Sequence, residues 1–586
     1  MNRLGAIRLL KKLQLTETNL IILLAICVGL ATGFGAIGFV KLIEYFNSLF
    51  FGLTDQILTT AVGFADWGGY KWWLPLIPLL GGLMVGPIVY KFASEAKGHG
   101  VPEVMNSVAR LGGIIRPRVA AAKTIASAIC IGSGGSAGRE GPIVQIGSAI
   151  GSTVGQMFRM SGDRVKILVG CGAAAGISAV FNAPIAGVIF SLEIILGDFA
   201  IKTFAPVILA SVVSSVVTRT FLGNSPAFEV PSYSLVSAWE IPLYILMGIL
   251  LGVLSVVFTK TLVAFEDFFE KMKITGWMKP ALGGLLLGTL AVFYPQVLAD
   301  GYQTINLTLY GKLTLWLMIV LVFMKLLATS LTLGSGNSGG IFAPSLFLGA
   351  VAGGSYGVVV NNLFPGVTAS PGAYALVGMA GLVAGATHAP ITALLIIFEM
   401  TSDYRIILPL MVTVVFSSLV AGRIFQYSIY TAKLARRGIE LKGGKDLNVL
   451  KAHTVSEVME NQFDAIPASA TLHNIFLKIE KSRETYFIVN DHEGFFKGVV
   501  SFQDIRNLLS EHTLDHLVIA QDLVVQETFV LRTTDDLEKA YNMFGQRDLV
   551  LIPVVDLHQG KRVIGVVRRD NLIDYYNKCL IDTLRQ

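Results

Sequence analysis

The chain has 586 residues, of which 53% are hydrophobic and only 15% charged, with a mean hydropathy of +0.64. That balance excludes an ordinary soluble domain and a disordered chain, and it puts most of the sequence in a lipid bilayer. The net charge of +6 is modest and spread over membrane flanks and the tail, so it reads as topology and implies no nucleic-acid partner.

Residues 1–17 carry Arg3, Arg8, Lys11 and Lys12 against Glu17 alone, which under the positive-inside rule makes this segment cytoplasmic. No small-residue cleavage site clearly follows the apolar run, so no cleaved signal is expected. Residues 18–40, 72–90, 280–299 and 406–422 lack any charge. Each is long enough for the roughly 17–25 residues that a membrane helix needs. Residues 124–138 and 339–363 are shorter or cut by Gly and Pro. Bare backbone cannot face lipid, so these pieces must be buried in protein or line a watery cavity.

The breaks are related to each other. Gly132-Ser133-Gly134-Gly135-Ser136-Ala137-Gly138-Arg139-Glu140-Gly141-Pro142 returns as Gly334-Ser335-Gly336-Asn337-Ser338-Gly339-Gly340-Ile341-Phe342-Ala343-Pro344, with six positions identical. Downstream, Asn182-Ala183-Pro184-Ile185 followed by Glu193 is echoed by His388-Ala389-Pro390-Ile391 followed by Glu399. Duplicated breaks in membrane segments point to a transport site built from broken helices. A helix that starts after a glycine turn presents unpaired N–H groups and the positive end of its dipole, which attract an anion without placing a full positive charge in lipid. Helix packing through small residues is the plainer alternative; the proline in the first turn of each copy favours the helix-start reading.

After Tyr430 the texture changes. Residues 431–438 form a basic, amphipathic exit, and 441–452 read as a linker. The soluble tail, 453–582, alternates β-branched runs (486–489 and 550–555) with helical patterns (471–479 and 535–544), so it holds a smaller repeat of its own. Cys27, Cys130, Cys171 and Cys579 show no metal spacing. No catalytic constellation is visible, so the chain is not expected to be an enzyme.

These residues resemble the CLC family of chloride channels and chloride/proton antiporters. Gly138–Pro142 is similar to the family's second anion motif, Gly340–Pro344 to its third, and Gly98-His99-Gly100-Val101-Pro102 to a variant of its first, in the family's order. The resemblance covers about 18–440, with repeats over roughly 18–225 and 235–426. It implies an α-helical integral membrane protein of inverted repeats, and a homodimer with one pathway per subunit for chloride or a related anion. Glu140 matches the gating glutamate. Gly138, Arg139, Gly141, Gly340, Ile341 and Phe342 belong to the anion-binding motifs, with the amides of Ile341 and Phe342 matching those on the central ion. Tyr430 matches the tyrosine closing the inner side of the path.

Two departures stand out. His99 replaces a serine or proline; its ring either meets the anion or packs away, leaving backbone to do so. Ile194 occupies the place of the antiporters' internal proton glutamate, and an aliphatic side chain relays no proton. Glu193 is adjacent, but helix neighbours point about 100° apart, so it need not face the same route. Ile194 therefore tilts the expectation toward channel-like passive flow, with antiport along an atypical inner proton route as the alternative.

The tail resembles a tandem pair of CBS domains, 453–510 and 523–580, an α/β fold that often binds ATP, ADP or AMP. In the first copy Ser501 is placed for phosphate and Asp504 for ribose; in the second, Arg568 and Asn571 hold the matching places. A purely structural role in dimerisation is the other reading. CBS pairs also accompany divalent-cation transporters, but the clustered carboxylates that a metal wants are not seen in the sequence. No cofactor is required by this reading. The short loops fit a prokaryotic inner membrane with both termini cytoplasmic.

Overall fold

The structure, a computed structural model, describes residues 17–52, 72–223, 228–439 apart from 229, 232, 234 and 402–404, and 450–585 apart from 451–452, 483–485, 502–504, 506–517, 525–529, 547–549 and 557–561. The chain divides into two units, Met1–Gly444 and Lys445–Gln586. Nearly all of the N-terminal basic segment and of the expected linker lies outside the described residues.

Among the described residues, the first unit is built of helices. Its first half contains α1 (Glu17–Asn47), α2 (Leu76–Pro87), α3 (Val101–Arg110), α4 (Pro117–Gly132), α5 (Glu140–Met157), α6 (Gly162–Phe181), α7 (Pro184–Phe190) and α8 (Ile201–Leu222). Its second half contains α9 (Glu240–Lys271), α10 (Lys279–Phe293), α11 (Tyr302–Leu309), α12 (Leu315–Gly334), α13 (Phe342–Leu363), α14 (Pro371–Thr387), α15 (Pro390–Thr401), α16 (Ile407–Ile424) and α17 (Thr431–Arg436). Among the described residues, eight helical stretches are long and apolar enough to cross a membrane.

The expected span at 280–299 ends early. Pro295 disfavours helix at the residue before it, and Tyr294 duly leaves the helical region at φ −133°, ψ 72°. The interrupted segments are buried as expected: the end of α4 with the loop after it, 126–138, and α13 are enclosed through most of their length, whereas α8 and α16 expose Val212, Val216, Leu408 and Leu419. Enclosure depends on close backbone approach. A Cβ on Gly147 would lie 2.1 Å from the Gly172 carbonyl where α5 crosses α6, and one on Gly349 would lie 2.4 Å from the Gly378 carbonyl where α13 crosses α14. The same contact thus recurs in both halves.

The second unit holds two small sheets. In the first, β1 (Ala465–Pro467) pairs parallel with β2 (Tyr486–Asn490), which pairs antiparallel with β3 (Phe496–Ser501), and α18 (Leu472–Lys481) connects β1 to β2. After the short helix α19 (Ala520–Leu523), the second copy runs α20 (Leu537–Gln546), β4 (Leu551–Asp556), β5 (Arg562–Arg568) and α21 (Arg569–Arg585). There β4 and β5 pair antiparallel, and a parallel bridge from Leu531 to Val554 stands where β1 stands in the first copy.

One carboxylate ties the two ends of this unit. Glu457 accepts hydrogen bonds from the Thr454 N–H at 2.8 Å and the Tyr575 hydroxyl at 2.7 Å, and pairs with His453 Nδ1 at 2.7 Å. These bonds, the Thr454 N–H first, hold its carboxyl at about 2, below the ordinary 4.5. A depressed folded-state value contributes stability above the unfolded value that is lost as pH falls toward the folded one. Glu457→Gln is therefore expected to lower the melting temperature at neutral pH and to remove part of the acid sensitivity between pH 4.5 and 2, read from melts at a series of pH values.

Candidate functional site

The two Gly-rich copies meet. Gly138 donates to the Gly340 carbonyl at 2.8 Å and Gly340 returns a bond to the Gly138 carbonyl at 2.6 Å. The first motif joins them, because Gly98 donates to Asn337 at 3.1 Å and accepts from Gly339 at 3.3 Å. Three loops far apart in sequence are stitched backbone to backbone, and α3, α5 and α13 all begin at this knot. Glycine is required by the spacing: a Cβ on Gly141 would sit 2.2 Å from the His99 carbonyl oxygen. Pro142 and Pro344 fall in the first turns of α5 and α13, where a missing N–H costs nothing.

Glu140 is the first residue of α5 and is 2% exposed. Its Oε1 accepts from the N–H of Phe342 at 2.5 Å and of Ala343 at 2.9 Å, the opening residues of α13. Its Oε2 has no protein partner among the described residues. A carboxylate thus lies on the positive end of a 22-residue helix, in the chemistry that a small anion would use. The sequence reading named Ile341 and Phe342. In the structure Ile341 caps α13, and Ala343 makes the second bond to the carboxylate.

His99 is 1% exposed, and its ring centroid lies 6.0 Å from that of Tyr430. Its Nδ1 is buried without a partner among the described residues. Arg139 caps α5, but its guanidinium lies over the Tyr302 ring at 5.0 Å and pairs with Asp300 at 3.4 Å, so its charge is already engaged.

Tyr430 and Ile194 share the wall of a cavity of about 400 Å³ with Met105, Glu193, Thr387 and His388. Glu193 lines this cavity beside its neighbour Ile194. Residues Ser191–Leu196 form a π-helical turn, wider than an α-helix, and both side chains reach the same space. The Glu193 carboxylate is nevertheless occupied: it accepts from Thr392 N–H at 2.7 Å, Thr392 Oγ1 at 2.6 Å and Ile391 N–H at 3.3 Å, capping α15. Glu399 on α15 reciprocates, accepting from Ile185 and Ala186 at the start of α7 at 3.0 and 2.7 Å.

Sequence reasoning missed four polar groups near the knot. Lys123 is fully buried and donates to the carbonyls of Ala96 and Gly98 at 3.0 and 2.6 Å; Lys325, equally buried, donates to Val297 and Ala299, each at 2.9 Å. Each clamps the loop before a short helix of its own half. Asp300 and Tyr302 flank the second of these loops. The signal was available: Lys325 stands at the spacing from Lys123 that relates Phe342 to Glu140, and isolated lysines in apolar sequence mark functional interiors.

In the second unit Ser501 ends β3, and Asp504 lies outside the described residues. Arg568 Nε donates to Glu460 at 2.9 Å, and the Asn571 amide donates to the other Glu460 oxygen. The Arg568 hydrogen bond holds the Glu460 carboxyl below its usual range. The cation expected to meet a phosphate therefore already has an anionic partner.

The profile described as voltage gated chloride channel matches residues 81–422, and the CBS domain profile matches 455–511. The chain is 34% identical over 447 residues to an H(+)/Cl(-) exchange transporter, ClcA, of Salmonella arizonae, covering 74% of this chain and 92% of that relative. It is 32% identical over 578 residues to chloride channel protein CLC-f of Arabidopsis thaliana, covering 85% of this chain and 73% of the relative. Among solved structures, a slow cyanobacterial Cl-/H+ antiporter superposes with a TM-score of 0.65 at 27% identity, covering 72% of this chain and 99% of the other.

Proposed function

The chain belongs to the CLC family of voltage gated chloride channels and exchangers, integral membrane proteins that move anions, and from that premise we propose that it exchanges chloride for protons. The observation that carries the reading is the Glu140 carboxylate on the N–H groups of Phe342 and Ala343. An arriving anion needs the same helix end, so carboxylate and anion compete for it. Protonation removes the negative charge and weakens the carboxyl's hold, because bonds to an ionised acceptor are about twice as strong as those to a neutral one. Each proton taken up by Glu140 then frees the helix end for an anion, and the release of that proton draws the carboxylate back. The exchangers among its relatives support the same reading.

Passive, channel-like anion flow is the second reading, favoured by Ile194 and by the engagement of Glu193 as a helix cap. Full-length protein in liposomes under an imposed chloride gradient separates the two. Exchange drives protons uphill against the chloride flow, and passive flow leaves the proton gradient untouched.

The family likeness also supports a homodimer with one pathway per chain, in a membrane whose cytoplasmic side holds both termini; a prokaryotic inner membrane fits the short loops. In the roles proposed for the motif residues, Gly138, Gly141 and Gly340 let the backbones close on the ion, Ile341 and Phe342 supply amides, and Tyr430 closes the inner end. Adenine nucleotide at the CBS unit rests on the signature that ends in Ser501 and Asp504. Titrating the full chain with ATP, ADP and AMP tests it: heat from any of them, lost in Ser501→Ala, supports the nucleotide site, and none leaves assembly as the unit's role.

A further inference from the structure

Exchange carries protons between the inner solution and Glu140, and Ile194 offers no group to receive them on the way. Among the described residues, the cavity of about 400 Å³ that Ile194 lines has four titratable side chains on its wall: Glu193, His388, Tyr427 and Tyr430. Glu193 is held by three hydrogen bonds as the cap of α15, and losing its charge would weaken all three. Tyrosines hold their protons until about pH 10. Imidazole is the side chain whose charge ordinarily changes between about pH 5 and 8.

We propose that His388 is the proton-accepting residue of the inner cavity, serving the exchange reading from the opposite half of the repeat to the one that carries Ile194. His388 is half-buried, so its ring meets both protein and cavity. Among the described residues no hydrogen bond or ion pair engages the ring. The backbone fixes its place: His388 closes α14 in the left-handed region at φ 56°, with its N–H bonded to the Ala384 carbonyl at 2.9 Å. Its counterpart in the first half, Asn182, has the same backbone at φ 55°, but its side-chain oxygen is taken by Arg219 Nε at 2.6 Å. Of two equivalent helix ends, one is tied down and the other carries a titratable ring into the cavity.

Of the carboxylates on the elements around the ring, those outside the cavity wall are already engaged. Glu193 from the turn after α7 and the hydroxyls of Tyr427 and Tyr430 share its cavity; Glu399 on α15 is committed to the start of α7, and Glu103 on α3 is paired with Arg437 at 2.9 Å. The wall also reaches toward the carboxylate: Tyr430 packs against the His99 ring, and the His99 carbonyl touches Gly141, the residue after Glu140. A proton entering from the inner solution binds one imidazole nitrogen and leaves to cavity water. Only the proton moves, and no bond between heavy atoms changes.

The test uses full-length protein in liposomes and follows proton and chloride flux together. Asparagine tolerates the left-handed backbone, as Asn182 already shows, and does not titrate. In His388→Asn, proton flux is expected to fall about a hundredfold, while chloride flux under its own gradient stays within about threefold. Adding Ile194→Glu to that variant is expected to return proton flux. Wild-type coupling retained in His388→Asn overturns the proposal alone. Loss of both fluxes without rescue by Ile194→Glu overturns it in favour of a structural role, and a wild-type protein that moves no protons overturns the exchange reading together with it.

Discussion

Replacing Glu140 by glutamine is expected to stop proton movement while chloride continues to cross. The amide has nearly the shape of the carboxylate, so the variant should fold, but it neither binds nor releases a proton in the working range. Its oxygen still accepts from Phe342 and Ala343, yet without the ionic contribution. A hydrogen bond to a charged group contributes about 1.5–3 kcal/mol against about 1 kcal/mol for a neutral pair. With two such bonds the plug is weakened by about 1–4 kcal/mol, which leaves the helix end open roughly 5 to 900 times more often. Chloride flux should rise and lose its dependence on pH, and Glu140→Ala should go further, since it leaves both N–H groups to the anion. Proton flux that persists in either variant would remove Glu140 from the coupling mechanism.

The second large effect is expected at His99. A buried polar atom left without a partner costs about 1–3 kcal/mol, so Nδ1 is poorly placed unless an anion in the path meets it. If the ring serves the anion, His99→Ala weakens chloride binding by about tenfold, the equivalent of ~1.4 kcal/mol. His99→Ser, which puts back a hydroxyl donor on a shorter stem, recovers part of that loss. Titration calorimetry of the detergent-solubilised protein with chloride reads both variants. Unchanged affinity in His99→Ala assigns the contact to backbone, with the ring acting only as packing for Tyr430.

The broken helices were legible because glycine turns and first-turn prolines are local signals. Gly138-Arg139-Glu140-Gly141-Pro142 and its copy carry within eleven residues what a helix start requires, and α5 and α13 begin inside them. The end of α10 was misjudged for the converse reason: apolar composition ran on to residue 299, but Pro295 governs the backbone one residue before itself. The roles of the buried lysines are not legible in the sequence, because Lys123 and Lys325 each work alone on two carbonyls that only the folded chain brings to them. Arg568 and Asn571 looked free for phosphate because Glu460, which holds both, lies 108 and 111 residues away in the chain.

What the sequence by itself determined is the class of the molecule: a membrane-embedded duplication with two Gly-rich helix starts, one bearing a carboxylate, followed by an α/β tail. Those features follow from hydropathy and turn chemistry, which act over a few residues. Only the tertiary structure decided which groups are available. It places Glu140 on the amides of Phe342 and Ala343, commits Glu193 and Glu399 to capping each other's helices, and puts His388 in the cavity of Ile194 with its ring unengaged among the described residues. These pairings join residues about 200 positions apart, because the contact lies between the two halves of the repeat. Local patterning shows each half's helix ends, and only packing the halves together shows which polar group satisfies which.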